Sequence, residues 1–406
     1  MENKLATKKR IGEIIKLITK GTTPPKGKGF VDSGINYIKS DAVTYERNLD
    51  KSKFVQIDEE THLKFKRSQL EENDILYSMA GIYLGKNAIV PKDVLPANTN
   101  QALAIIRLNQ EIANPQYVSL YLSQDSMIDY VNNMSGQSAQ PNINFEEIKS
   151  IEIQLPPLPE QKAIASVLSS LDDKIDLLHQ QNQTLEALAE TLFRQWFIEE
   201  AKEDWEEVKL GDFVDIFNGV SYKSDDLNPS TTAMVTLKSF NRNGGFRTDG
   251  FKEYTGKFKE THIVKEGDLV VAHTDITQDA ALIGNPILVM SDEKYEQLVI
   301  SMDLVKVVSK VDFMTNDFLY LLMKSREFKE HALGYSNGST VLHLSKKAIP
   351  EFEFKLPKED ILNKFRKIIS PTINKQFENQ KQIQTLTKLR DTLLPKLMSG
   401  EVRVKN

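Results

Sequence analysis

Between residues 155 and 200 the apolar positions recur in alternating steps of four and three. They are Ile164, Leu168, Leu171, Ile175, Leu178, Leu185, Ala189, Leu192 and Trp196, with Asn182 the one polar member. That spacing is the heptad seam of a coiled-coil helix. Pro156 and Pro157 hold the chain extended ahead of it, Pro159 suits the first helical position, and Glu160 places a negative charge at the positive end. About 40 residues at about 1.5 Å each predict a helix of roughly 60 Å, which needs a partner along its seam. The C-terminal run offers one through Ile383, Leu386, Leu393 and Leu397. There Ser370-Pro371 predicts a fresh helical start or a kink, and Pro395 with Gly400 predicts the end. Asn182 reads either as a buried polar residue fixing register or as a solvent-facing residue where the helices splay.

The two helical runs belong to an internal repeat. Leu155-Pro156 returns as Leu356-Pro357, 201 residues later, and Leu185, Leu188 and Thr191-Leu192 return as Leu386, Leu389 and Thr392-Leu393. The fold class expected is α/β in the broad sense (α+β). Two copies of an irregular sheet-containing domain are each followed by a long helix, with the two halves related by a pseudo-twofold. The boundaries read as 1–154 and 205–356 for the domains, and 155–204 and 357–406 for the helices. In the first copy INYIKS (35–40), DILYS (74–78), NAIV (87–90), ALAIIRL (102–108) and SIEIQL (150–155) read as strands, and residues 114–134 as one helix capped by Asn114. In the second, MVTLKS (234–239), DLVVAH (268–273), PILVM (286–290) and LVISMDLVKVV (298–308) read as strands, and residues 315–331 as the counterpart helix.

Composition narrows the class. The chain has 406 residues, no cysteine and a net charge of −5. Disulfides and thiolate metal sites are excluded, which fits a reducing cytoplasm. No run reaches the roughly 18 apolar residues of a membrane span, and the N-terminal residues lack the apolar core of a signal peptide. The distribution of charge says more than its sum. Residues 158–204 hold 4 basic and 10 acidic side chains, while residues 357–406 hold 11 basic and 5 acidic. The two long helices are therefore oppositely charged, which bears on choice of partner and orientation more than on stability.

Candidate nucleic-acid contacts fall on loops. Lys26 and Lys28 lie in the Gly/Pro loop GTTPPKGKGF, within a basic N-terminal stretch, where they could meet phosphate or form an ordinary solvated surface. Lys39 and Lys86 sit at the ends of apolar runs. Gln137, Gln140 and Asn142 lie in the amide-rich segment 135–143, and Thr340 and His343 in its counterpart 336–344. Amide side chains can read adenine edges, although a turn has the same composition. Arg242 and Arg247 flank the Gly-rich FNRNGGFR, where they could reach phosphate or guanine. No Walker loop is complete, no Gly-rich loop would cradle S-adenosylmethionine, and the six histidines lack metal-ligand spacing. No catalytic centre, metal or cofactor is expected on this chain.

With these residues in view, the chain resembles the specificity subunit of type I restriction-modification enzymes. LPPLPEQKAIASVLSSLDDKID is similar to that family's central conserved region and KLRDTLLPKLMSGEVRV (388–404) to its distal one. GQSAQPNINFEEIKSIEIQLPPLPEQ (136–161) resembles its junction of recognition domain and helix, whereas LPKEDI replaces LPPLPEQ in the second copy. The resemblance implies two target-recognition domains with twisted sheets on an antiparallel two-helix coiled coil. Each domain would read half of a bipartite, asymmetric site in double-stranded DNA. It also implies two adenine-methyltransferase modification subunits carrying S-adenosylmethionine, and restriction subunits using ATP and Mg for translocation and cleavage. A stand-alone DNA-binding protein and a coiled-coil scaffold binding other proteins are the alternative classes.

Overall fold

The computed structural model describes residues 6–25, 28–81, 84–134, 142–241, 245–275, 280–338 and 341–404. It divides into two compact units, residues 1–176 with 383–406 and residues 177–382.

In the first unit a four-stranded antiparallel sheet has the order Ile15–Lys20, Leu103–Leu108, Ile75–Ser78, Asn87–Ile89. Its middle strands are continuous apolar runs because both faces are covered, and Ile75, Leu76, Ala104, Ile105 and Ile106 are fully buried. A smaller sheet orders Phe30–Val31, Val55–Ile57, Ile35–Ile38 and Ala97–Thr99, the last pair parallel. Thr7–Arg10, read from sequence only as a basic surface stretch, pairs antiparallel with Glu152–Leu155. The helices are α1 (Ile11–Ile14), α2 (Glu59–Lys64), α3 (Pro115–Leu122), α4 (Asp125–Met134) and α5 (Phe145–Ser150).

The second unit repeats this plan. Val214–Asn218, Leu304–Ser309, Leu269–Ala272 and Pro286–Leu288 form the larger sheet in the same order. Lys252–Glu253, Thr232–Val235, Gln297–Ile300 and Ile263–Val264 form the smaller one, again with one parallel pair. Even a buried ion pair is kept. In the first unit Asp74, wholly buried, holds Arg107 at 2.7 Å, and in the second Asp268 holds Lys306 at 2.7 Å.

Several expected elements are shorter or divided. LVISMDLVKVV serves two sheets, because the chain turns at residues 301–303, with Ser301 N–H bonding Val235 O (3.0 Å) and Leu304 N–H bonding Ser301 O (2.9 Å). The helix expected over 114–134 is α3 and α4, divided where the Ser123 hydroxyl turns back onto Ser119 O at 2.7 Å. The helix expected over 315–331 is likewise α7 (Asn316–Lys324) and α8 (Arg326–Gly334), and Ser325 caps the second through Phe328 N–H at 3.2 Å. Ser150 belongs to α5 rather than to the strand beginning at Glu152.

The two long helices are α6 (Leu158–Arg194), extended by a π turn over Gln195–Glu199, and α9 (Glu359–Ser399). Pro371 starts no new helix: it lies exposed inside α9, and its turn is held by buried Ile369 and Ile373 on the opposite face. Pro395 does not end the helix either. α9 stops at Ser399, before Gly400, whose φ of +77° only glycine adopts without strain.

Candidate nucleic-acid interface and the paired helices

Each unit brings a polar segment back against the strand end that follows its central strand. In the first, Asn142 bridges Ala80, and Ile143 N–H bonds Met79 O at 2.9 Å. In the second, Leu342–Leu344 pairs with Thr274–Asp275, setting His343 opposite Thr274. Asn142 and His343 are both exposed there. Lys28 is exposed, and half-buried Lys39 reaches over the exposed Phe30 ring, 6.0 Å from its centroid. Lys86 needs correction as a nucleic-acid contact: it is buried, and its ammonium lies 3.7 Å from the centre of the Tyr45 ring. Burial pulls its pKa below the usual lysine value. Arg247 is exposed but forked onto Asp249, with Nε 3.0 Å from Oδ1, and this bond holds Asp249 below the ordinary carboxylate value. Lys26, Gln137, Gln140, Arg242 and Thr340 lie outside the described residues.

Sequence reasoning passed over the residues that stiffen these loops. Asp275, fully buried, accepts from Leu282 N–H (2.6 Å) and Ile283 N–H (3.1 Å). Lys329 donates to Ile283 O and Asn285 Oδ1, both at 2.7 Å, and its burial lowers its pKa. Together they fix the chain around 280–285 at the foot of the loop. Next to it, burial pulls His273 below the ordinary imidazole value, with His343 and Lys346 adding to the shift. A buried Asp or Lys of this kind has no sequence signature, because an aspartate in a polar loop reads the same whether it caps or floats.

The helices pair antiparallel within each unit. In the second, Asn379 Nδ2 donates to Asn182 Oδ1 at 2.9 Å, and Gln376 Nε2 donates to Asn182 O (3.2 Å) and Glu186 Oε2 (2.8 Å). Farther along α6, Phe193 and Phe197 meet Phe365 with ring centres 6.1 and 4.7 Å apart. In the first unit Asp172 of α6 bonds Arg390 of α9 at 3.1 Å and also binds Arg47 from the sheet-containing domain of the same unit. Of the seam positions, Ile164, Leu168, Ile175, Leu178, Ala189, Ile383 and Leu397 are buried. Leu171, Asn182, Leu185, Leu192, Trp196, Leu386 and Leu393 are half-buried. Asn182 thus lies in the helix pair with a polar partner, not at a splayed, solvated point.

A model of the type I restriction modification DNA specificity domain matches residues 3–187 and, a second time, residues 202–388. The chain belongs to this family. It is similar to the type I restriction enzyme MjaIX specificity subunit of Methanocaldococcus jannaschii, with 27% identity over 340 residues, 76% of this chain and 74% of that one. The MjaVIII specificity subunit of the same organism is 24% identical over 418 residues, 98% and 93% of the two chains. In fold the chain resembles the crystal structure of the type I restriction-modification S subunit from M. genitalium (TM-score 0.61, 18% identity, coverage 98% and 97%). Among the described residues, no helix is long and apolar enough to cross a membrane, and no group of three or more His, Asp or Glu side chains could hold a metal ion.

Each specificity domain must be seated on its helix, and in the first copy Gln161 does this. It is fully buried. Its Oε1 accepts from Asn114 N–H at 2.8 Å, while Nε2 donates to Ile112 O (3.0 Å) and Pro156 O (2.8 Å). One side chain thereby ties the start of α3, the turn before it and the entry to α6. In the second copy the position 201 residues on is Leu362, buried in an apolar core. Gln161→Leu should therefore not be neutral. It leaves three backbone groups, of which Pro156 O is buried, without their partner and is expected to cost about 3 kcal/mol, measured as a lowered urea midpoint at unchanged m-value.

Proposed function

We propose that this chain is the non-catalytic DNA sequence-specificity subunit of a type I restriction-modification complex. Each recognition domain reads one half of a bipartite, asymmetric site in double-stranded DNA. The observation that carries the reading is the double match to the specificity-domain family, on two units that share the strand order of their larger sheet but differ in loop sequence. A repeated framework with divergent loops is what two readers of different sequences require. Residues 1–154 and 205–356 are the readers in this proposal; residues 155–204 and 357–406 set the gap between half-sites and dock two modification subunits. The contacts proposed to DNA are Lys28, Lys39, Asn142, Arg247 and His343, with Lys26, Gln137, Gln140, Arg242 and Thr340 on the same loops. Arg247 must leave Asp249 to take part. S-adenosylmethionine, ATP and Mg belong to the modification and restriction subunits.

The test is methylome sequencing of a host expressing the chain with its modification subunit. One two-part motif with a fixed gap is expected, and exchanging residues 1–154 for those of another specificity domain should change one half only. A methylome without a new motif, or one whose halves change together, would refute the assignment.

A further inference from the structure

The internal repeat poses a problem of assembly that goes beyond DNA reading. Two similar halves, each ending in a long helix, can pair unlike with unlike (α6 with α9) or like with like (α6 with α6 of a second copy, α9 with α9). We infer that the polar contact between Asn182 and Asn379 selects the unlike pairing and excludes the like ones.

The argument rests on where the repeat places the counterparts. Asn379 donates to Asn182 at 2.9 Å and is fully buried. Under the 201-residue offset Asn182 corresponds to Ile383 and Asn379 to Leu178, both buried and apolar. In an α6–α6 pair of the same register, Asn182 would face Leu178 of the other copy, at both symmetric crossings. In an α9–α9 pair Asn379 would face Ile383. Each like pairing therefore buries asparagines against hydrocarbon, and only the unlike pairing matches amide with amide. A lone polar residue in a coiled-coil seam chooses its partner in this way.

Three further features point in the same direction. Glu186, beside Asn182, is bound by Lys324 and by the Tyr320 hydroxyl (2.7 Å) from α7. The corresponding first-copy residues are Ser123 and Ser119. Pairing two first halves would leave this shielded carboxylate without its ammonium. The ends of the helix pair also differ in size. In the second unit Phe193, Trp196 and Phe197 surround Phe365, whereas in the first Leu397 and Met398 share a core with Ile164 and Leu168. Since Leu397 and Met398 correspond to Trp196 and Phe197, an α6–α6 pair would force indole and phenyl rings into space shaped for aliphatic chains. Finally, residues 158–204 are acidic and residues 357–406 basic, so like pairing sets like charge against like.

The experiment uses the full chain with a protease site placed in the exposed segment 202–204. It is cleaved after folding, unfolded in urea and refolded, and the species are counted by native mass spectrometry. Wild type should return the complex of first and second halves in at least tenfold excess over either homodimer. N182I/N379L makes all crossings apolar and should lower that excess at least fivefold while raising the midpoint of thermal unfolding. A second variant, L178N/I383N, gives Asn182 and Asn379 amide partners in the like pairings and should lower the excess by a different route. A wild-type mixture near one to two to one overturns the inference. So does a folded N182I/N379L or L178N/I383N complex that keeps the wild-type excess.

Discussion

Phe365→Ala is expected to cost about 4 kcal/mol, within the range for a buried aromatic truncation. Phe365 is 2% exposed and sits at one end of the second unit's helix pair, where the start of α9 meets the last turns of α6. Its ring lies 4.7 Å from Phe197, 5.6 Å from Trp196 and 6.1 Å from Phe193, edge-on to the two phenylalanines. Each edge-to-face pair adds roughly 0.5–1.5 kcal/mol to simple burial, and α6, α9 and α7 cannot all close on the void that truncation leaves. In a unit of this size the loss corresponds to a fall of roughly 10 °C in the unfolding midpoint, read by calorimetry as a shift of the second unit's transition. A fall under about 3 °C would show that the cluster repacks. Phe365→Leu, which keeps most of the volume, should recover more than half.

The second large effect is electrostatic. Lys324→Met should cost about 3 kcal/mol at pH 7, because it leaves Glu186 shielded from water without its counter-ion. Both side chains are less than one-fifth exposed. Burial alone would push Glu186 up, but the Lys324 ammonium and the bonds from Lys324, Tyr320 and Gln376 outweigh it and hold the carboxyl below its ordinary value. Burial pulls Lys324 down, and its two glutamates, Glu186 and Glu190, more than reverse this. A carboxylate whose folded pKa is depressed stabilises the fold above its unfolded pKa, and that contribution disappears as pH falls through the folded value. The wild type should accordingly lose stability on acidification through and below the usual carboxylate range. Lys324→Met should show a deficit that shrinks over the same interval, because protonated Glu186 no longer needs a counter-ion. Combining it with Glu186→Gln should restore part of the loss at pH 7, giving a coupling energy in a double-mutant cycle. Equal deficits at pH 7 and pH 4 would place the effect in packing instead.

Both predictions concern residues whose importance is only partly visible in the linear chain. Glu186 is one acidic residue among ten in its segment, and nothing in the spacing distinguishes it from the more exposed Glu190 or Glu199. Only the approach of α7 surrounds it. Gln161 is similar: in LPEQ it reads as a helix N-terminal polar residue, yet the fold closes three backbone segments on it. Lys86 shows the opposite error. A lysine at the end of an apolar run reads as a nucleic-acid contact, but the loop carrying Tyr45 covers it.

By itself, the sequence determined that the chain is two copies of one unit and that two long heptad segments, oppositely charged, must find partners. Periodicity and repetition are local or translational properties, and burial of one apolar stripe is their direct consequence. It also determined which loops carry polar side chains. The tertiary structure decided how apolar runs are shared out, since LVISMDLVKVV divides at residues 301–303 and its two ends become interior strands of two different sheets. It carried α9 through Pro371, where packing of Ile369 and Ile373 outweighs one missing hydrogen bond. It also decided which charges are shielded, because dielectric environment is set by what folds over a side chain, and neighbours in space are not neighbours in sequence.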